Sequence, residues 1–82
     1  MIAADVYTFP MENVEEQFVD VISDHERIIY KVCSLYLNRE HDKADLYQEI
    51  VLQLWRSFPK FRNESKISTW IYRIALNTAI SN

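Results

Sequence analysis

The sequence predicts an all-α fold, a compact bundle of three main helices behind a short leading one. Three observations carry this. Apolar residues recur at three- and four-residue spacing through most of the chain, the period of one helix face. The 82 residues include no glycine and only two prolines, whereas small sheet-rich domains rely on glycine turns. A content of 49% apolar and 26% charged residues belongs to a chain that folds rather than one that stays disordered. This length allows one domain.

Residues 1–12 show no clear period and contain Pro10; they read as a loose arm before a domain at 13–82. Asn13 and Glu16 have capping-box spacing, so a short helix is expected there, with Phe18, Val21 and Ile22 on one face. Ser23 and Glu26 repeat that spacing and predict a kink or restart. The next helix carries Ile28, Ile29, Val32, Cys33, Tyr36 and Leu37, and residues 38–41 form its polar exit. Asp42 is the expected cap of the third helix, with Asp45 in its first turn. Its stripe is Leu46, Ile50, Leu54 and Phe58, flanked by Tyr47 and Val51, and Pro59 stops it. Residues 61–64 form a short loop. Ser65 is the expected cap of the last helix, whose stripe is Ile67, Trp70, Ile71, Ile74, Ala75 and Thr78.

Composition excludes much chemistry. Without glycine there is no GxGxxG loop, no Walker A motif and no GxSxG elbow. Cys33 stands alone, so cysteine-pair zinc sites and internal disulfides are out, and its place on an apolar face marks a buried thiol. His25 and His41 lie too far apart for HExxH and read as surface or cap-adjacent residues. No cofactor, metal site or acid–base pair is indicated, so an enzyme is not expected. There is no membrane-length apolar run and no signal-peptide pattern, and the lone cysteine fits a reducing, intracellular setting.

The formal net charge is −3, but it is unevenly spread. Residues 1–55 hold 11 acids and 4 bases, a balance of −7; residues 56–82 hold 5 bases and 1 acid, a balance of +4. That division suggests two surfaces for two partners. On the third helix, Asp45, Gln48, Glu49 and Leu52 share one face away from the apolar stripe, and Trp55 follows. Acid, amide and exposed apolar groups together suit an interface, although the same face could simply be solvated. Residues 58–77 interleave bases with aromatics and small polar groups. Cations can meet phosphates, rings can stack on bases, and hydroxyls and amides can read edges. The alternative at Phe58, Phe61 and Trp70 is that the rings anchor the core.

Two motifs together resemble region 2 of bacterial sigma factors, most closely the extracytoplasmic-function (ECF) group, over roughly residues 14–82. One is Ala44, Asp45, Leu46, Tyr47, Gln48 and Glu49 with Trp55 after it. The other is Phe61, Arg62, Asn63, Glu64 and Ser65, then Thr69, Trp70, Ile71, Tyr72, Arg73, Ile74, Ala75 and Asn77. The resemblance implies a cytoplasmic RNA polymerase subunit that directs promoter recognition and is not itself an enzyme. It implies that Asp45, Gln48 and Glu49, with Val51, Leu52 and Trp55, dock on the clamp coiled coil of the polymerase β′ subunit. It implies that the loop of Arg62, Asn63, Glu64, Ser65, Lys66 and Ile67 captures a flipped base of the non-template strand at the promoter −10 element. Trp70, Arg73, Asn77 and Ser81 would support or extend that contact. Position 63 is Asn where the family often has Gly, and position 67 is Ile where it often has an aromatic. The family further implies an anti-sigma protein as a partner and a C-terminal domain that reads the −35 element. That domain is absent from this chain, so a fragment is expected. A helical protein-interaction module without a direct DNA role, such as an anti-sigma-binding fragment, is the competing reading.

Overall fold

The computed structural model describes residues 14–61 and 65–81. The arm at 1–12, the Asn13 cap and the loop residues Arg62, Asn63 and Glu64 lie outside them. Four α-helices follow one another: α1 (Val14–Asp24), α2 (Glu26–Tyr36), α3 (Glu40–Ser57) and α4 (Ile67–Ser81), with a 3₁₀ turn at Phe58–Lys60 between the last two. No strand occurs among the described residues. α4 packs against both α2 and α3, which also touch each other.

The core follows the apolar period. The whole predicted stripe of α3, Leu46, Ile50, Leu54 and Phe58, is buried. Facing it are Ile29, Val32 and Cys33 of α2 and Ile67, Ile71 and Ala75 of α4. Phe18 and Val21 anchor α1 to this core. Burial of each large side chain contributes about 1.5–3 kcal/mol. Tyr36 departs from expectation. It stands 47% exposed at the last position of α2, where the chain has already left the core. Ala79 extends the buried line of α4 by one turn beyond the expected stripe.

The helix boundaries depart from the expected caps. The restart near residue 24 is a single residue, His25, and not Ser23. His25 N–H donates to the Ile22 carbonyl at 3.1 Å, and Nδ1 lies 2.7 Å from the Val21 carbonyl oxygen, so His25 closes α1. Its own carbonyl accepts from Ile28 N–H at 3.1 Å and opens α2. α3 starts two residues before the expected cap. Arg39 occupies the N-cap position, Lys43 N–H donates to its carbonyl at 2.9 Å, and Asp42 lies inside the first turn. Glu40 is the reason for the early start. Its carboxylate accepts from the Tyr30 hydroxyl at 3.0 Å and from Lys43 Nζ at 3.3 Å, and its charge favours a helix N-terminus. Ser65 does not cap α4. Its hydroxyl donates to the Lys66 carbonyl at 3.4 Å, and the helix is closed by Trp70 N–H on that same carbonyl at 3.0 Å. Pro59 behaves as expected: α3 ends at Ser57, and Phe61 N–H then bonds Phe58 O at 3.1 Å.

Two titratable groups are held neutral by packing. Burial pushes the Cys33 thiol above its ordinary 9.0. Burial, helped by the nearby Glu26 charge, pushes the Tyr47 phenol above its ordinary 10.0. A raised acid keeps its proton in the folded state after the unfolded state has lost it. Stability is therefore fully present below the ordinary value and falls as pH rises through it. Between pH 8 and 10 the urea midpoint is expected to fall, and Cys33→Ala should flatten the part of that slope near pH 9.0; an unchanged slope would show that the thiol carries none of it. Ile50→Ala is expected to cost about 2–5 kcal/mol in urea unfolding, because it opens a cavity at a fully buried position.

Candidate functional site

Because the stripe of α3 faces inward, its other side must face water. Asp45, Gln48 and Leu52 are exposed there, with Leu52 at 40%. Asp45 Oδ2 lies 3.8 Å from His41 Nε2, and both groups are largely solvated, so the pair constrains little. Glu49 is half-buried at the edge of this face and accepts from Gln53 Nε2 at 3.1 Å. Trp55 is 38% exposed, and its ring meets the Phe18 ring edge-on at 5.0 Å between centroids. Val51 stands apart from the group. It is half-buried and packed on the core, so it shapes the helix flank rather than the outer face.

The second set divides. Ile67, named both in the apolar stripe of the last helix and among the contact residues, is fully buried and supports α4 from the core. Trp70 is half-buried. Its ring centroid lies 4.9 Å from that of Phe61 and 6.2 Å from that of Phe58. Phe58 in turn meets Phe18 edge-on at 5.1 Å. A run of rings therefore connects Trp55 on α3, through Phe18 and Phe58, to Trp70 and Phe61. Phe58 and Phe61 are core anchors, while Trp70 keeps an accessible portion. Lys66, Arg73, Asn77 and Ser81 are exposed, the last three in line along α4.

The fold also joins what the sequence kept apart. A groove of about 490 Å³ runs between α3 and α4, lined by Glu49, Gln53, Ser57, Asn77, Thr78 and Ser81 among others. Glu49 of the first set thus lines the same groove as Asn77 and Ser81 of the second. Gln53 and Ser57 were not singled out from sequence, although they continue from Glu49 at four-residue steps. Among the described residues no cluster of three or more His, Cys, Asp or Glu could hold a metal ion. No helix among them is long and apolar enough to cross a membrane.

Comparison with known proteins decides the family. The Sigma-70 region 2 family model matches residues 21–82. The chain belongs to the sigma-70 region 2 family. It is 32% identical over 66 residues to the ECF RNA polymerase sigma factor SigW of Bacillus subtilis, covering 80% of this chain and 35% of that protein. It is 42% identical over 57 residues to the ECF sigma factor SigG of Mycobacterium tuberculosis, covering 70% of this chain and 15% of that one. It is 45% identical over 55 residues to the ECF sigma-E factor of Escherichia coli, covering 65% and 29%. The chain thus spans roughly a third or less of these relatives' lengths. No solved structure matches it.

The two tryptophans of this region 2 domain differ in enclosure. Trp70→Phe leaves Trp55, and its emission is expected to be redder and more easily quenched by acrylamide than that of Trp55→Phe, which leaves the more enclosed Trp70. Equal quenching of the two variants would contradict the placement of Trp70 among Phe58 and Phe61.

Proposed function

We infer that this chain is the polymerase-docking, promoter-opening part of a sigma factor. Its outer α3 face docks on the β′ clamp coiled coil of bacterial RNA polymerase. The 62–66 loop and the Arg73, Asn77 and Ser81 line of α4 take the non-template strand of the −10 element. Such a part confers promoter specificity and catalyses nothing itself, and it works where the polymerase is, in the cytoplasm. The single observation that carries the reading is the exposure of Asp45, Gln48 and Leu52 on a helix whose opposite stripe is wholly buried. An acidic and amide-bearing face with one apolar residue at its centre complements a basic partner helix.

The chemistry of the second surface supports the same role. Extracting a base from the stack costs a few kcal/mol, which a receiving site must return through stacking and edge hydrogen bonds. Trp70, with Asn63, Glu64, Ser65 and Lys66 near it in sequence, offers a ring, donors and acceptors. A stacked base contributes about 1–3 kcal/mol. A net charge of −3 gives the chain little DNA affinity of its own. The division of labour follows: polymerase binding supplies the local concentration, and the basic end makes the contact.

Calorimetric titration of the chain against the isolated β′ clamp coiled coil tests the first half. Saturable binding is expected, weakened at least tenfold by Gln48→Ala with Leu52→Ala while circular dichroism is unchanged. A well-folded chain that does not bind would sink the sigma reading and leave a helical interaction module. Within holoenzyme, Arg73→Ala with Asn77→Ala should weaken binding to a single-stranded −10 oligonucleotide and reduce its salt dependence. Indifference to both changes would remove α4 from the DNA surface.

A further inference from the structure

The attachment of α1 differs from that of the other helices. α2, α3 and α4 pack on one another, whereas α1 reaches the core through Phe18 and Val21, with Val14 and Ile22 packed beside them. The Phe18 ring is a wedge. It meets the Trp55 ring at 5.0 Å and the Phe58 ring at 5.1 Å, edge-on to both. Trp55 is 38% exposed and Phe58 is buried, so withdrawing Phe18 opens a slot with Trp55 as its wall and Phe58 as its floor. On the same helix, Gln17 Oε1 is buried and has no hydrogen-bond partner among the described residues. A buried acceptor without a donor destabilises the state that buries it, and water satisfies it on exposure. Docking of α1 thus combines favourable ring burial with an uncompensated polar atom.

The joint to the rest of the chain is one residue long. α1 ends at Asp24 and α2 begins at Glu26. His25 between them has φ −125° and ψ 17°, outside the helical range. Its N–H and its ring Nδ1 face back to the Ile22 and Val21 carbonyls, at 3.1 and 2.7 Å. Its own carbonyl faces forward and accepts from Ile28 N–H at 3.1 Å and from Ile29 N–H at 3.4 Å. The two sets separate at a single bond. Rotation about the His25 Cα–C bond carries the backward-facing pair with α1 and leaves the forward-facing pair with α2. Hinges are residues of this kind, placed at element ends where they absorb a change in φ and ψ.

We propose that α1 is a hinged strap: it undocks as one unit about His25 while α2, α3 and α4 stay folded, and its docked state fixes the Trp55 ring through Phe18. Segments held by few buried apolar contacts open below the free energy of global unfolding. Undocking bares the aromatic slot at Trp55 and Phe58, and docking closes it. Phe58 also lies 6.2 Å from the Trp70 ring, so the position of the strap bears on the aromatic end of α4. The proposal stands without the polymerase reading, because its test measures opening and ring environment rather than binding.

The test is native-state hydrogen exchange of the ¹⁵N-labelled 82-residue chain, followed amide by amide at low urea. The amides of residues 18–24 are expected to share one protection level, at least tenfold below those of Ile50 and Leu54. Ile50→Val, in the buried stripe of α3, should lower protection at Ile50 and Leu54 about three- to tenfold and leave the α1 amides unchanged. Phe18→Ala should lower protection throughout α1 at least tenfold. In a Trp70→Phe background, which leaves Trp55 as the reporter, Phe18→Ala should redden the emission and raise acrylamide quenching, with the amide resonances of α2, α3 and α4 retained. Four results would each overturn the proposal. Equal protection of α1 and α3, or a parallel loss in both with Ile50→Val, would mean that α1 opens only when the whole domain unfolds. Protection rising steadily from residue 18 to residue 24 would mean fraying from the end rather than a unit turning at His25. Unchanged Trp55 emission and quenching on removal of Phe18 would break the link between the strap and the ring.

Discussion

Burial of one stripe, Leu46, Ile50, Leu54 and Phe58, sets the rest of the molecule. α3 is the longest helix, and both α2 and α4 pack against it. Once these four side chains are inside, the rotation of α3 about its axis is fixed, and so is the identity of its outer residues. A slip of one position would turn the helix by about 100°. It would submerge the charged side chains and expose the stripe, at a cost of several kcal/mol for each misplaced group. The stripe therefore determines that Asp45, Gln48 and Leu52 face solvent.

Phe58 carries this constraint onward. It is the last buried residue of the stripe and the first of the 3₁₀ turn, and its ring contacts Phe18 and Trp70. The same side chain that ends the α3 core thus fixes α1 on one side and the start of α4 on the other. That explains how a domain of this size holds the exposed faces of α3 and α4 in a defined relation. The relation is made by aromatic rings at about 5–6 Å rather than by ion pairs such as His41–Asp45, which is solvated and weak. Edge-to-face and tilted ring pairs have preferred orientations, so they transmit placement as well as cohesion.

Polar groups do a different task here. The Tyr30, Glu40 and Lys43 triangle is exposed and adds little to global stability, but it sets where α3 begins and holds a ring at the surface. Hydrogen bonds from Tyr30 and then Lys43 hold the Glu40 carboxyl below its ordinary range. That small contribution is present above the ordinary carboxylate value and lost as pH falls. The outer face of α3, with its acid and amides, and the basic residues 56–82 are surfaces of different chemistry on one small core. A chain of net charge −3 can hold both because screened charges act over short range.

The sequence by itself determined the helical class, the four helices and the α3 stripe, because apolar periodicity and the absence of glycine act locally and leave one solution. It also placed Asp45, Gln48 and Leu52 outside, since they lie opposite that stripe by helical geometry alone. It did not determine where helices begin. His25, Arg39 and Lys66 take positions that cap preferences assigned to Ser23, Asp42 and Ser65, because those boundaries are set by backbone closure and by contacts such as Tyr30 with Glu40. Ile67 belonged by period to the α4 stripe and by motif to the loop, and the packing of α4 puts its side chain inside. Glu49 and Asn77 line one groove and Tyr30 and Tyr47 another, although they lie 28 and 17 positions apart. Such pairings depend on how helices cross, which is a property of the assembled core and is not written in any single segment.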